Sequence, residues 1–175
     1  MGLGAIENPL NKEKEPNRLG PVKSNYKLIV YDFDGVLTDN RVWVSETGEE
    51  TVACNRSDGW WIGQIRDLGV EQIILSTETN PVVSARGKKL KIEVHQGKQD
   101  KAHAFRELVK KRSLSFEQVV YIGNDMNDWG CFENAGFTFA PEDSHPKILQ
   151  IAKQVIPVKG GAGIVRFVYD WLVQG

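Results

Sequence analysis

Short apolar runs that stop abruptly at polar or glycine residues alternate along this chain with stretches of helical period, and that alternation most narrows its possible folds. The runs Lys27-Leu-Ile-Val-Tyr31, Gln72-Ile-Ile-Leu75, Val119-Val-Tyr-Ile122 and Phe137-Thr-Phe-Ala140 are strand-length. The first, apolar almost throughout, suits a strand covered on both faces. Between the runs, helices are expected from about Asp58 to Leu68, from Pro81 to Leu90 with proline in the first turn, from Asp100 to Lys111, from Met126 to Glu133, from Pro146 to Ala152, and from Ile164 to Val173. Glu93 to His95 adds a short strand. Arg41-Val-Trp-Val44 and Thr51-Val-Ala-Cys54, joined by a turn at Glu46-Thr-Gly-Glu49, form a hairpin outside the repeating rhythm. Such alternation predicts an α/β fold, with a parallel sheet and helices on both faces.

Length and composition agree with one such domain. The 175 residues suffice for one core, read here as residues 26–175, preceded by an arm at 1–25 whose Pro, Gly and Lys12-Glu13-Lys14-Glu15 show no regular period. Subtracting 23 acidic from 22 basic residues leaves a net charge of -1, which excludes a field able to hold nucleic acid or an anionic bilayer. No signal-like or membrane-length apolar run is present, and Cys54 and Cys131 have neither disulfide-scaffold nor zinc-site spacing. A reducing, cytoplasmic setting is expected.

In a parallel sheet, ligands bind beyond the carboxyl ends of the strands. The residues there are Asp32-Phe-Asp34-Gly35 after the first strand, Ser76-Thr77-Glu78 after the second, and Lys98 and Lys101 past the short third. Gly123-Asn124-Asp125-Met126-Asn127-Asp128 follows the fourth. That inventory suits metal-assisted phosphoryl transfer. A phosphate monoester repels nucleophiles until a hard cation such as Mg²⁺, held by carboxylates and water, offsets its charge. Asp32 would attack phosphorus, and Asp34 would protonate the leaving oxygen and later deprotonate water. Ser76 and a lysine, Lys101 or Lys98 by composition, would bind phosphoryl oxygens. Asp32, Asp34, Asn124, Asp125 and Asp128 are the candidate metal shell. Each residue also has a plain structural role open to it, since Asp and Ser start turns and cap helices. Trp60 and Trp61 are read as packing residues, and His95, His103 and His145 are assigned no chemistry.

At these residues the sequence resembles the haloacid dehalogenase-like (HAD) phosphohydrolases, whose four motifs match in order as Asp32-x-Asp34, Ser76, Lys101 and Gly123-Asn124-Asp125-x-x-Asp128. Asp32 to Asp39, Asn55-x-x-Asp58-Gly59, Gln96-Gly97 and Gly160-Gly161-Ala-Gly163-x-Val165-Arg166 are similar to the sugar-acid phosphatase branch. That branch comprises 3-deoxy-D-manno-octulosonate 8-phosphate phosphatases and nonulosonate 9-phosphate phosphatases, including those for KDN and sialic acid. The same module accompanies some acylneuraminate cytidylyltransferases. The resemblance implies a Rossmann-like core, Mg²⁺, an aspartyl-phosphate intermediate and a sugar acid phosphate substrate bound by Asn55, Asp58, Gly59, Glu78, Arg86 and Arg166. The intervals Asp34 to Ser76 and Ser76 to Lys101 leave no room for a cap domain, and capless relatives form homotetramers through the hairpin, with neighbouring subunits roofing the site.

The chain departs from that pattern at three places. Asn124 stands where the phosphatases usually have Asp, as in the cytidylyltransferase modules. Thr77-Glu78 replaces the Gly-Arg usual in octulosonate phosphatases, which favours a nine-carbon acid. Phe167 replaces the Glu that usually follows Arg166. Two alternatives therefore stand beside the leading reading: an oligomerisation module with little or no activity, and a capless phosphatase of a macromolecule.

Overall fold

The structure is a computed structural model that describes residue 23 and residues 25–174; the expected arm at 1–25 lies almost wholly outside them. Six strands form one parallel sheet in the order β5-β4-β1-β6-β7-β8, where β1 is Leu28–Tyr31, β4 Glu71–Leu75, β5 Glu93–His95, β6 Val119–Ile122, β7 Phe137–Pro141 and β8 Gln154–Ile156. A separate antiparallel hairpin, β2 (Thr38–Val44) with β3 (Glu50–Cys54), leaves the sheet directly after β1.

The pleat divides β1 between two cores. Ile29 and Tyr31 face a layer built by α1 (Asp58–Asp67), α2 (Val82–Leu90) and α6 (Ile164–Val173), through Ile62, Ile65, Val83, Val165, Val168 and Leu172. Leu28 and Val30 face the opposite layer of α3 (Lys101–Lys111), α4 (Trp129–Asn134) and α5 (Pro146–Ile151), through Phe105, Leu108, Val109, Phe132 and Ile148. All four β1 side chains are fully buried, and each such aliphatic contributes about 1.5–3 kcal/mol. This is the doubly covered α/β sheet that the apolar runs imply.

Three differences from the sequence reading have local causes. Strand β8 was not expected; it is a three-residue edge strand defined only by its pairing with β7. The hairpin starts earlier, because Thr38 pairs with Cys54 beyond an irregularity that precedes Val42. The helix expected from Met126 divides into a 3-10 turn, Met126–Asp128, and α4, since Asp125 and Asp128 cap that turn reciprocally. No cap domain interrupts the two motif intervals, and no helix among the described residues is long and apolar enough to cross a membrane.

Strand β1 hydrogen-bonds β4 on one side and β6 on the other, so the chain order reverses at β1 and opens a crevice above the β1 and β6 carboxyl ends. Asp32 and Asn124 stand at its two sides.

Candidate active site

The centre of the crevice is a charged trio. Lys101, the first residue of α3, is buried and its Nζ donates at 2.7 Å to Asp32 Oδ1 and at 2.7 Å to Asp128 Oδ1. One ammonium thus serves two carboxylates, and the excess negative charge lies out of water. The Asp32 carboxyl is accordingly raised well above the usual range by burial and then by Asp128, against the opposing pull of Lys101. Lys101 is raised too, because its two carboxylates outweigh desolvation. Lys98, its rival by composition, has its backbone N–H on Ser76 O at 3.1 Å, but the residue is exposed in the groove beside α3 and its side chain has no ion pair with Asp32 or Asp128.

The two oxygens of Asp32 are not equivalent. Oδ1 accepts from Lys101 and, at 2.7 Å, from the Phe33 N–H, whereas Oδ2 has no protein donor among the described residues. Asp34, two residues on, accepts from Thr38 Oγ at 3.2 Å. Burial raises the Asp34 carboxyl, with Glu78 adding to the rise and Thr38 opposing it, a shift that favours a carboxylic acid able to give up a proton. Ser76 is buried with its backbone N–H on His95 O and its Oγ accepting from Glu78 N at 3.0 Å, so its hydroxyl proton remains available.

Asp128 is an organiser. Its Oδ1 accepts from Lys101 and from the Tyr121 hydroxyl at 2.6 Å; its Oδ2 accepts from the Asn124 and Asp125 N–H groups at 2.8 and 3.2 Å. Four donors occupy both oxygens of a fully buried carboxylate. Asp125 is exposed and its Oδ1 accepts from Met126 N. The Asn124 side-chain amide has no protein partner among the described residues and lies against Gly35. Oxygen donors at the strand ends include Asp32 Oδ2, Asp34, the Asn124 amide oxygen and the exposed Asp125 carboxylate. Hard oxygens of this kind, one or two carboxylates with an amide, fit a divalent ion of the Mg²⁺ kind, which completes its shell with water.

One cleft opens on this centre through Asp34, and a second lies among the end of β3, α1 and α2. The first, of about 250 Å³, is lined by Asp34, Asn40, Arg41, Glu50, Glu78 and Asn80, with Asn80 Nδ2 donating to Glu50 Oε2 at 2.9 Å. Glu78 turns one oxygen, Oε1, to the N–H groups of Thr79 and Asn80. The second cleft, of about 210 Å³, is lined by Cys54, Gly59 and three cations, Arg56, Arg86 and Lys89. Arg86 Nη2 donates to Asn55 O at 2.6 Å but stands 4.0 Å from Asp58 Oδ2, and both Arg86 Nε and Asp58 Oδ1 are buried without partners. Asn55 Oδ1 holds the Ser57 N–H and hydroxyl. Arg166 lies away from both clefts, paired with Asp170 and over the Trp61 ring. Trp61 packs on Tyr169 as expected, but Trp60 is 67% exposed, because α1 turns that position to solvent.

Sequence reasoning did not single out Arg41, Arg56, Asn80 or Lys89. None of them stands at a strand end, and only the tertiary approach of the hairpin, α1 and α2 gathers them.

Burial pushes the Asp58 carboxyl up to about 7, more strongly than Arg86 pulls it down. A carboxyl raised on folding takes up protons in the folded state, so stability falls as pH climbs from its unfolded value of about 4 and stays lowered above its folded value. Asp58→Asn should therefore be neutral below pH of about 4 and stabilising by about 1–3 kcal/mol in alkaline buffer. Urea titrations of both proteins at two pH values check this; a difference independent of pH contradicts it.

The sequence profile of the haloacid dehalogenase-like hydrolases matches residues 68–168. The 3-deoxy-D-manno-octulosonate 8-phosphate phosphatase of Escherichia coli K12 is 35% identical over 150 residues, covering 85% of this chain and 80% of that protein. The crystal structure of the enzyme so described from Yersinia pestis superposes with a TM-score of 0.81 at 34% identity, covering 85% of this chain and 80% of that one. The Moraxella catarrhalis enzyme, solved with a magnesium ion, a phosphate ion and KDO, superposes with a TM-score of 0.82 at 28% identity, covering 86% and 87%.

Proposed function

The chain belongs to the haloacid dehalogenase-like hydrolase family, and from that premise we propose that it is a divalent-metal-dependent phosphatase of a 2-keto-3-deoxy sugar acid phosphate, acting through Asp32. The observation that carries the reading is the asymmetry of Asp32: Lys101 and Phe33 fix Oδ1, while Oδ2 faces the crevice at the switch point of the sheet.

The chemistry follows from these positions. Asp32 Oδ2 forms a bond to phosphorus as the bond from phosphorus to the sugar oxygen breaks, and Asp34 delivers its proton to that oxygen. Water then attacks phosphorus, gives a proton to the Asp34 carboxylate, and restores Asp32 as phosphate departs. Lys101 and the Ser76 hydroxyl stabilise phosphoryl oxygens, and Lys101 also orients the nucleophile. Asp32, Asn124 and the main-chain carbonyl of Asp34 would hold the metal, which leaves the Asp34 side chain free for proton transfer and when bound offsets phosphoryl charge, while Asp128 and Asp125 shape the loop that presents Asn124.

The clefts support a sugar acid. The cations Arg56, Arg86 and Lys89 supply the anion-complementary surface a carboxylate needs, and Gly59, Asn55 and Asp58 frame it. Glu78 and Asn80 offer acceptors to hydroxyl or amine groups. Glu78 in place of a cation favours a nonulosonate 9-phosphate, such as that of KDN or a sialic acid, over octulosonate 8-phosphate; Arg166 is expected to contribute little within one subunit. The test is Mg²⁺-dependent phosphate release from octulosonate 8-phosphate, KDN 9-phosphate and N-acetylneuraminate 9-phosphate. Selectivity for a nine-carbon acid that Glu78→Arg reverses supports the assignment; preference for the octulosonate removes the role given to Glu78.

A second reading has one observation behind it. Asn124 brings an amide where a carboxylate would add charge, which suits a weakly active module beside a cytidylyltransferase. Absence of turnover on all three substrates, with Asn124→Asp restoring it, would favour that reading.

The hairpin exposes Val42, Trp43 and Val44, each more than half accessible, next to the first cleft. A homotetramer whose neighbours cover this face would roof the open site and bury the apolar edge. Trp43→Glu should then convert the oligomer to smaller species and raise KM about tenfold, consistent with loss of about 1.4 kcal/mol of binding. Light scattering and steady-state kinetics check this. A wild-type monomer would instead favour a macromolecular phosphoester, which fills an open cleft unaided.

A further inference from the structure

The glycine pair Gly160-Gly161 has no part in the chemistry above, yet its backbone lies directly against the nucleophile loop. A Cβ on Gly160 would stand 2.2 Å from Gly35 O and 3.0 Å from Thr38 O; one on Gly161, at φ +69°, would stand 2.8 Å from Asp39 N. Gly161 N–H donates to Val36 O at 2.9 Å, and Gly160 N–H donates to Asp143 Oδ1 at 3.0 Å. On the other side of the same loop, a Cβ on Gly35 would stand 1.9 Å from Asn124 Nδ2, and Asn124 O accepts from His145 N at 2.8 Å. The Asn124 side-chain amide and the Gly160 backbone therefore both pack directly on Gly35, which has no side chain to hold either off. Asp143 and His145, two residues apart on the loop after β7, hold the two ends.

We propose that Asp143 and the Gly160-Gly161 turn form a positioning clamp that presses the Asp32–Thr38 loop onto Asn124 and so sets the distance between the Asp34 and Asn124 oxygens. The proposal rests on those residues being the phosphoryl centre. Backbone has nowhere to retreat: Gly35 meets Asn124 on one face and Gly160 on the other. A methyl group on Gly160 must drive the loop towards Asn124 or force the glycine turn off it, and either way changes the spacing of the Asp34 and Asn124 oxygens; a displacement of about 1 Å at such a centre lowers rate by about 10²-fold.

The test compares Gly160→Ala, Asp143→Ala and, as control, Gly136→Ala, whose added Cβ meets Glu117 backbone at 2.4 Å in the loop before β6. Each protein is titrated with Mg²⁺ by calorimetry without substrate, and its thermal midpoint is measured without metal. The clamp predicts Mg²⁺ affinity about tenfold weaker in Gly160→Ala and severalfold weaker in Asp143→Ala, with kcat falling more than KM rises. Gly136→Ala loses midpoint alone and keeps wild-type affinity. If Gly160→Ala does not fold, Asp143→Ala decides. Wild-type affinity in both clamp variants, or losses that track the midpoint in all three proteins, overturns the clamp. Wild-type protein that does not bind Mg²⁺ overturns the phosphoryl centre itself and the clamp with it.

Discussion

Asp32→Asn should lower kcat by about 10⁴- to 10⁶-fold while leaving the protein folded and no less stable. The amide keeps an oxygen for the Phe33 N–H and Lys101, so the geometry of the trio survives, but neither of its atoms can attack phosphorus. The stability half of the expectation comes from charge. Asp32 is raised by burial and by Asp128 beyond what Lys101 recovers, so its ionisation opposes folding at neutral pH. Asn removes that opposition and leaves Lys101 paired with Asp128 alone. Circular dichroism melting beside a phosphate-release assay separates the two effects. A large fall in midpoint would mean that Asp32 is a structural carboxylate first.

Lys101→Met should be the most damaging single substitution, because it removes the one cation shared by two buried acids. Its Nζ is fully enclosed between Asp32 and Asp128, and Tyr121 beneath is also buried. Breaking such an arrangement from the cation side leaves uncompensated charge and costs about 3–5 kcal/mol. Activity should disappear as well, since the phosphoryl oxygens lose a donor and Asp32 loses its anchor. Adding Asp128→Asn should recover part of the stability and none of the activity, and chemical denaturation of the single and double variants reads this coupling directly. Additive losses would mean that the two residues do not act as a unit.

How far the sequence could be read depended on where each residue's partners lie. The run ending at Tyr31 is covered on both faces, so its composition marked it as an inner strand, and those ending at Leu75 and Ile122 were legible as strands. Gln154–Ile156 carries no such mark, because an edge strand borrows its identity from one neighbour. Asp32, Asp34, Ser76 and Lys101 were legible because sheet topology requires ligand-facing residues at strand ends. Strand-end placement alone did not separate Lys101 from Lys98, since that depends on which residue begins α3, and the choice of Lys101 came from the family resemblance. Asp128 could be read as a ligand or as a cap until Tyr121, a strand residue, proved to share its oxygen with Lys101. The cationic cleft was half legible: Arg86 and Gly59 followed from the family resemblance, while Arg56 and Lys89 arrive only when α1 and α2 pack side by side.

The proposed reaction carries a phosphoryl group on Asp32 and moves it on through Asp34. The most direct measurement mixes Asp34→Asn with p-nitrophenyl phosphate and Mg²⁺, quenches in acid, and weighs the peptide containing residue 32. This leaving group needs no proton, so the first step survives the substitution while the water step loses its base. The expected result is a burst of about one equivalent of nitrophenol per site and one phosphoryl group on that peptide. Undiminished steady turnover, or a burst with no phosphoryl on that peptide, would contradict it.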